Sequence, residues 1–115
     1  MQILVCGGRD YTDRFRVAEV LSEYLRYANL TIVHGAADGA DTLAEDWAKA
    51  NEVNYRGFPA KWKKIGNKSA GYQRNAEMIQ RNDIELVIAF PGGRGTAMMT
   101  ELARKSGIEV IFIKD

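Results

Sequence analysis

The chain has 115 residues, 46% of them apolar, with 16 basic against 15 acidic side chains and a formal net charge of +1 at pH 7. That length and apolar content suit one compact domain spanning residues 1–115, and so even a charge balance supplies no global field for nucleic acid or an anionic membrane. No apolar run is long enough to cross a bilayer, and one Cys and one His exclude an internal disulfide and a structural zinc site.

The N-terminus opens directly into a strand pattern, Gln2-Ile3-Leu4-Val5-Cys6, rather than a signal peptide, so a cytoplasmic protein is expected. Cys6 reads as a packed core thiol. Gly7-Gly8-Arg9-Asp10 follows as a turn. A helix then starts at Thr12 or Asp13, with Phe15, Val17, Ala18, Val20, Leu21, Tyr24 and Leu25 as its apolar positions. Leu30-Thr31-Ile32-Val33 is the second strand. His34 to Asp41 is a second glycine-bearing turn, and Asp41 or Thr42 opens a helix carrying Leu43, Ala44, Trp47 and Ala48. Val53 to Phe58 is a weaker third strand. Pro59 to Ala70 is a basic loop with Lys61, Trp62, Lys63, Lys64 and Lys68. A third helix is expected from about Gly71 to Asn82.

The apolar run Leu86-Val87-Ile88-Ala89-Phe90 reads as a buried strand. It ends in Pro91-Gly92-Gly93-Arg94-Gly95-Thr96, which leads into a helix from Ala97 to about Lys105. A last strand covers Ile108 to Ile113.

Strands alternating with helices imply an α/β, Rossmann-like three-layer fold: a five-stranded parallel sheet with helices on both faces. All strand-to-helix loops then emerge at one sheet edge, where ligands of such folds bind. The unusual residues of this chain lie in those loops.

The Pro91–Thr96 stretch is the strongest candidate. A helix N-terminus offers unpaired N–H groups and partial positive charge, and glycines let a phosphate approach the backbone. Thr96 reads as the helix cap, with a hydroxyl to offer, and Arg94 as a charge-assisted donor. Gly7, Gly8 and Arg9 form a smaller turn of the same kind, with an Arg9–Asp10 pair as the alternative. His34 reads as a hydrogen-bonded structural histidine before a catalytic one. Asp38 is left open as an acceptor for ribose hydroxyls, and Asp41 reads as a helix N-cap. Trp62 among its lysines suits stacking on a base or simple packing of a solvated loop. Arg74 sits near the start of its helix and can face the loops.

Together these residues resemble a known group. Pro91-Gly92-Gly93-x-Gly95-Thr96 is similar to the signature of the SLOG superfamily, which includes the Lonely guy phosphoribohydrolases. Gly7-Gly8-Arg9, His34-Gly35-Ala36 with Gly39-Ala40-Asp41, Pro59-Ala60-x-Trp62, and Ala70-Gly71 with Arg74-Asn75 resemble more closely its YspA/YpsA-related branch. The resemblance implies a domain that binds a nucleotide-derived ligand of ADP-ribose or nucleotide type, in a homodimer or higher homo-oligomer, in bacteria or phages. It carries Gly35 and Asn75 into the ligand-binding set, with His34, Asp38, Trp62, Arg74 and the two glycine turns. No cofactor and no metal are expected.

Two departures bear on chemistry. The phosphoribohydrolases carry an Arg-Lys pair where this chain has Arg74-Asn75, and a Glu where it has Met99. With Thr96 as the cap, Met99 would be the third helical residue. No catalytic residue can be assigned, and a binding module for sensing or sequestration is preferred over a phosphoribohydrolase. A nucleic-acid-binding protein is the least favoured reading, because the net charge is near zero.

Overall fold

The computed structural model describes residues 1–60 and 67–114. Lys61, Trp62, Lys63 and Lys64, and with them the base-stacking expectation, lie outside the described residues.

The elements alternate as β1 (Gln2–Cys6), α1 (Arg14–Ser22), β2 (Thr31–His34), α2 (Ala40–Ala50), β3 (Asn54–Gly57), α3 (Asn67–Gln80), β4 (Ile84–Ala89), α4 (Arg94–Lys105) and β5 (Glu109–Phe112). The five strands form one sheet in the order β3-β2-β1-β4-β5, and every pairing is parallel. This is the expected α/β, Rossmann-like architecture.

Burial follows strand position. In β1, the central strand, Ile3, Leu4 and Val5 are fully buried because both faces are covered, which is why it reads as an unbroken apolar run. The edge strand β3 is exposed along its length, hence its weak pattern. On one face, Ile3, Val5, Ile32, Leu86 and Ile88 pack with Val17 and Leu21 of α1 and Ala44 and Trp47 of α2. On the other, Leu4, Cys6, Val33, Val87 and Ala89 pack with Met78 of α3 and Met99 and Ala103 of α4.

Three local expectations are corrected. Helix α1 is capped by Asp13, whose side chain accepts from the Arg16 N–H at 3.0 Å, but Phe15 is 75% exposed. It lies two positions from the buried Val17, about 200° around the helix, with the Arg14 guanidinium over its ring. Leu25 falls beyond the end of α1 and is exposed. Helix α3 begins at Asn67, before Gly71. Gly71 is buried within it, so tertiary packing overrides a poor intrinsic propensity.

The order places β1 between β2 and β4, so the connection after β1 turns to one side and that after β4 to the other. The loops leaving these adjacent strands diverge and open a crevice at the C-terminal edge of the sheet.

Candidate functional site

A cavity of about 300 Å³ occupies that crevice. Cys6, Met78 and Met99 belong to its lining and also to the core beneath it. Gly7, Gly8 and Arg9 contribute from the β1 turn, Gly35, Ala37 and Asp41 from the β2 turn and α2, Arg74 and Asn75 from α3, and Gly93, Arg94, Gly95 and Thr96 from the start of α4.

Helix α4 starts at Arg94 with Gly93 as its cap and no side-chain capping bond. Thr96 is therefore the third helical residue rather than the cap, and Met99 stands in the second turn, buried. The first α4-side amide to find a backbone acceptor is Ala97, on the Gly93 carbonyl at 3.0 Å. The N–H groups of Arg94, Gly95 and Thr96 have no acceptor among the described residues. A Cβ added at Gly93 or Gly95 would meet nothing within 4 Å, so the backbone there is open to a ligand. Pro91 and Gly92 do not line this cavity. They border a separate shallow hollow with residues 10–13, and the Thr96 hydroxyl lies close over Gly92.

The β1 turn is built differently. The Gly8 N–H donates to the Pro91 carbonyl at 2.8 Å, and the Gly8 carbonyl accepts from Tyr11 and Ala40. Its polar groups hold the two turns and α2 together. Arg9 is exposed, and no ion pair joins it to Asp10 among the described residues.

Asp41 is not the cap of α2. Gly39 is, with φ 75°, which places Asp41 inside the first turn, buried. Its Oδ2 accepts from the amides of Gly35 at 3.0 Å and Ala37 at 3.2 Å. Burial raises its carboxyl above the ordinary range; the Ala37 amide, His34, Arg74 and the Gly35 amide pull back without cancelling the rise. Arg74, half-buried, donates from Nη1 to the Gly35 carbonyl at 2.6 Å and from Nε to Asn75 Oδ1 at 2.9 Å. A Cβ on Gly35 would collide with that guanidinium, so this glycine serves close packing. Burial lowers the Arg74 pKa; Asp41 opposes the shift and the like charge of Arg9 adds to it. Among the described residues, Arg9, Arg74 and Arg94 thus stand against one lining carboxylate, an excess of positive charge.

His34 is buried but absent from the lining. Its Nδ1 accepts from the Ala36 N–H at 2.9 Å, which leaves Nε2–H to donate to Glu45 at 2.8 Å. Both nitrogens are engaged in holding the β2 turn. Asp38 is exposed and lines an adjoining hollow with Arg9, Arg74, Pro59 and Ala60. Cys6 is no nucleophile at neutral pH: burial, reinforced by the Asp41 charge, pushes its thiol up to about 12.

Sequence reasoning gave Met78 no role and read Cys6 only as a packed core thiol, whereas both line the cavity; it set Met99 beside the glycine motif but one turn too early, and it misjudged Asp41. The available signal was Gly39: a glycine suited to positive φ just ahead of Asp41 moves the cap upstream.

Residues 1–65 match the sequence model of a family described as YspA, cpYpsA-related SLOG. The chain is 37% identical over 125 residues to the Gene 61 protein of Mycobacterium phage D29, covering 99% of this chain and 97% of the phage protein. Among solved structures it is similar to DNA processing protein A (DprA) of Streptococcus pneumoniae, with TM-score 0.76 and 20% identity. That likeness covers 99% of this chain, which spans 50% of the DprA chain. It is also similar to the C-terminal domain of a Pyrococcus furiosus hydrogenase, with TM-score 0.61, 18% identity, and coverage of 98% and 90%. At these identities the structural likenesses speak for the fold.

Proposed function

We propose that this chain, which belongs to the YspA, cpYpsA-related SLOG family, binds a phosphate-bearing, nucleotide-derived small molecule at the C-terminal edge of its sheet and acts as a sensing or sequestering module. The observation that carries the reading is the start of α4. Amides at Arg94, Gly95 and Thr96 without an acceptor among the described residues, over a backbone bare at Gly93 and Gly95, border a cavity that those residues line with three arginines and one carboxylate. Helix N-termini with this exposure favour anions. A volume of about 300 Å³ is at the lower end of small-molecule sites and suits a mononucleotide-sized group.

Cleavage of a ribosyl bond is the weaker reading. Positive charge developing on the sugar calls for a carboxylate, and water must be activated beside it. Met99, buried in the lining, stands where the phosphoribohydrolases carry a Glu. Asp41, the carboxylate the cavity does have, already holds two loop amides.

The test is to denature the purified protein, identify any released nucleotide by mass spectrometry, and measure thermal shifts with AMP, ADP and ADP-ribose. A ligand that binds only the folded chain raises Tm, by the equivalent of about 2.7 kcal/mol at a hundred times its Kd. No released nucleotide and no shift with any phosphorylated compound would overturn the reading. Release of adenine from AMP at about one turnover per second or faster would replace it with the hydrolase.

A further inference from the structure

We infer that Asp41 and Asn75 form a hydroxyl-reading pair, so that the ligand carries a sugar hydroxyl opposite its phosphate. The inference rests on the phosphate-site reading and adds the chemical class of the ligand's other end.

Asn75 is 3% exposed and lines the cavity. Its Oδ1 accepts from Arg74 Nε–H, and Arg74 is itself anchored on the Gly35 carbonyl. That bond fixes the orientation of the amide, because only the oxygen end can accept from a guanidinium. The other end, Nδ2, is buried with no acceptor among the described residues. A buried amide donor without a partner is rare in folded proteins and calls for an explanation.

Asp41 offers the complementary deficit. Its Oδ2 takes both loop amides, whereas Oδ1 has no hydrogen bond among the described residues. An ionised carboxylate only accepts. Among the described residues, the cavity lining therefore holds one unmet donor, on α3, and one unmet acceptor, on α2. A carbonyl would meet Asn75 but set a second acceptor against Asp41. An ammonium would meet Asp41 but oppose the Asn75 donor and the nearby Arg74. A hydroxyl accepts and donates through one oxygen, and adjacent sugar hydroxyls do so through two.

The charges then set the direction of the ligand. A phosphate is repelled by Asp41 and drawn to the open amides of α4, so phosphate and hydroxyl take opposite ends of the cavity.

The test is isothermal titration calorimetry with AMP, 2′-deoxy-AMP, 3′-deoxy-AMP, ribose 5-phosphate, 2-deoxyribose 5-phosphate and inorganic pyrophosphate. Expected is a loss of at least about tenfold when one ribose hydroxyl is removed, since a site built to bond a hydroxyl rejects the analogue lacking it. In Asn75→Ala that ratio should fall below about threefold while pyrophosphate affinity holds. If Asn75→Ala fails to fold, Asn75→Asp serves: it keeps an oxygen for Arg74 and removes the donor. The compared ligands carry equal charge, so their ratio is insensitive to the added one. Equal binding of hydroxylated and deoxy ligands, or an unchanged ratio in the variants, overturns the hydroxyl assignment and leaves the phosphate site standing. Binding of pyrophosphate alone does the same. Failure of every compound to bind overturns the phosphate site, and the hydroxyl pair falls with it.

Discussion

Gly-Gly-Arg occurs twice in this chain, at Gly7–Arg9 after β1 and at Gly92–Arg94 after β4, and the fold uses the two copies in opposite ways. In the first, a Cβ at Gly7 would stand 2.6 Å from the Ala40 Cβ and 3.0 Å from that of Phe90. The Gly8 polar groups are taken up by Pro91, Tyr11 and Ala40. In the second, Gly92 packs against Gly8, but Gly93 faces open space and the amides after it have no acceptor among the described residues. The first turn is a buttress and the second a cradle resting on it. A glycine doublet thus marks a close approach to the backbone; whether protein or ligand makes that approach is decided by neighbours distant in sequence.

The largest effects come from exchanging the two roles. Gly7→Val places a branched side chain where α2 touches the sheet edge. Overpacking of this kind costs about 1–3 kcal/mol or more, and a Tm loss of about 10 °C is expected, with AMP binding weakened only because the cradle loses its support. Gly93→Val should do the reverse. Its side chain enters open space, and replacing a cap glycine costs about 1 kcal/mol at most. AMP affinity, read by calorimetry, should drop by at least about thirtyfold, a steric loss of about 2 kcal/mol. A stable Gly7→Val protein, or a Gly93→Val protein that binds like the parent, breaks the distinction.

Most of the fold was legible because β1 and β4 are buried on both faces and read as apolar runs, and because Val17, Leu21, Ala44 and Trp47 keep helical spacing. The convergence of the loops followed from the parallel topology. Phe15 was misread because apolar content is not orientation. Thr96 and Asp41 were misread because a helix can start on a glycine without a side-chain cap, as both α2 and α4 do. The Arg74–Asn75–Gly35 arrangement was beyond reach: Gly35 and Arg74 are 39 positions apart, and nothing local announces that a guanidinium will lie on that glycine.

A smaller effect separates the two arginines. Arg94 is exposed, so its bond to a phosphate is screened by water, and Arg94→Ala should weaken AMP by about three- to tenfold while leaving adenosine unchanged. Arg9, on the neighbouring turn and exposed, acts through the field. Arg9→Ala should cost about twofold to threefold, and that loss should fade in 1 M salt, where charges are screened within about 3 Å. Equal losses for AMP and adenosine in either variant would contradict a phosphate role.

The smallest effect concerns Asp41, which the first turn positions by holding the Ala40 amide on the Gly8 carbonyl. Because the fold raises this carboxyl, its ionised form is disfavoured in the native state. The sign follows from linkage: the stability associated with the neutral form is present below the ordinary carboxylate value of about 4 and is lost as pH rises through the native value. Asp41→Asn removes the titration and keeps an oxygen for the Gly35 and Ala37 amides, at the cost of the attraction to Arg74. The variant should therefore melt above the parent at pH 7, and the gap should close as the pH falls below about 4. Taking the difference between the two proteins at each pH cancels the other carboxylates, which titrate in both. A parent that melts higher at pH 7 would show that the ionised carboxylate supports the fold. A variant that melts higher and binds AMP less tightly would show instead that the chain keeps a destabilising charge for its ligand, as functional sites commonly do.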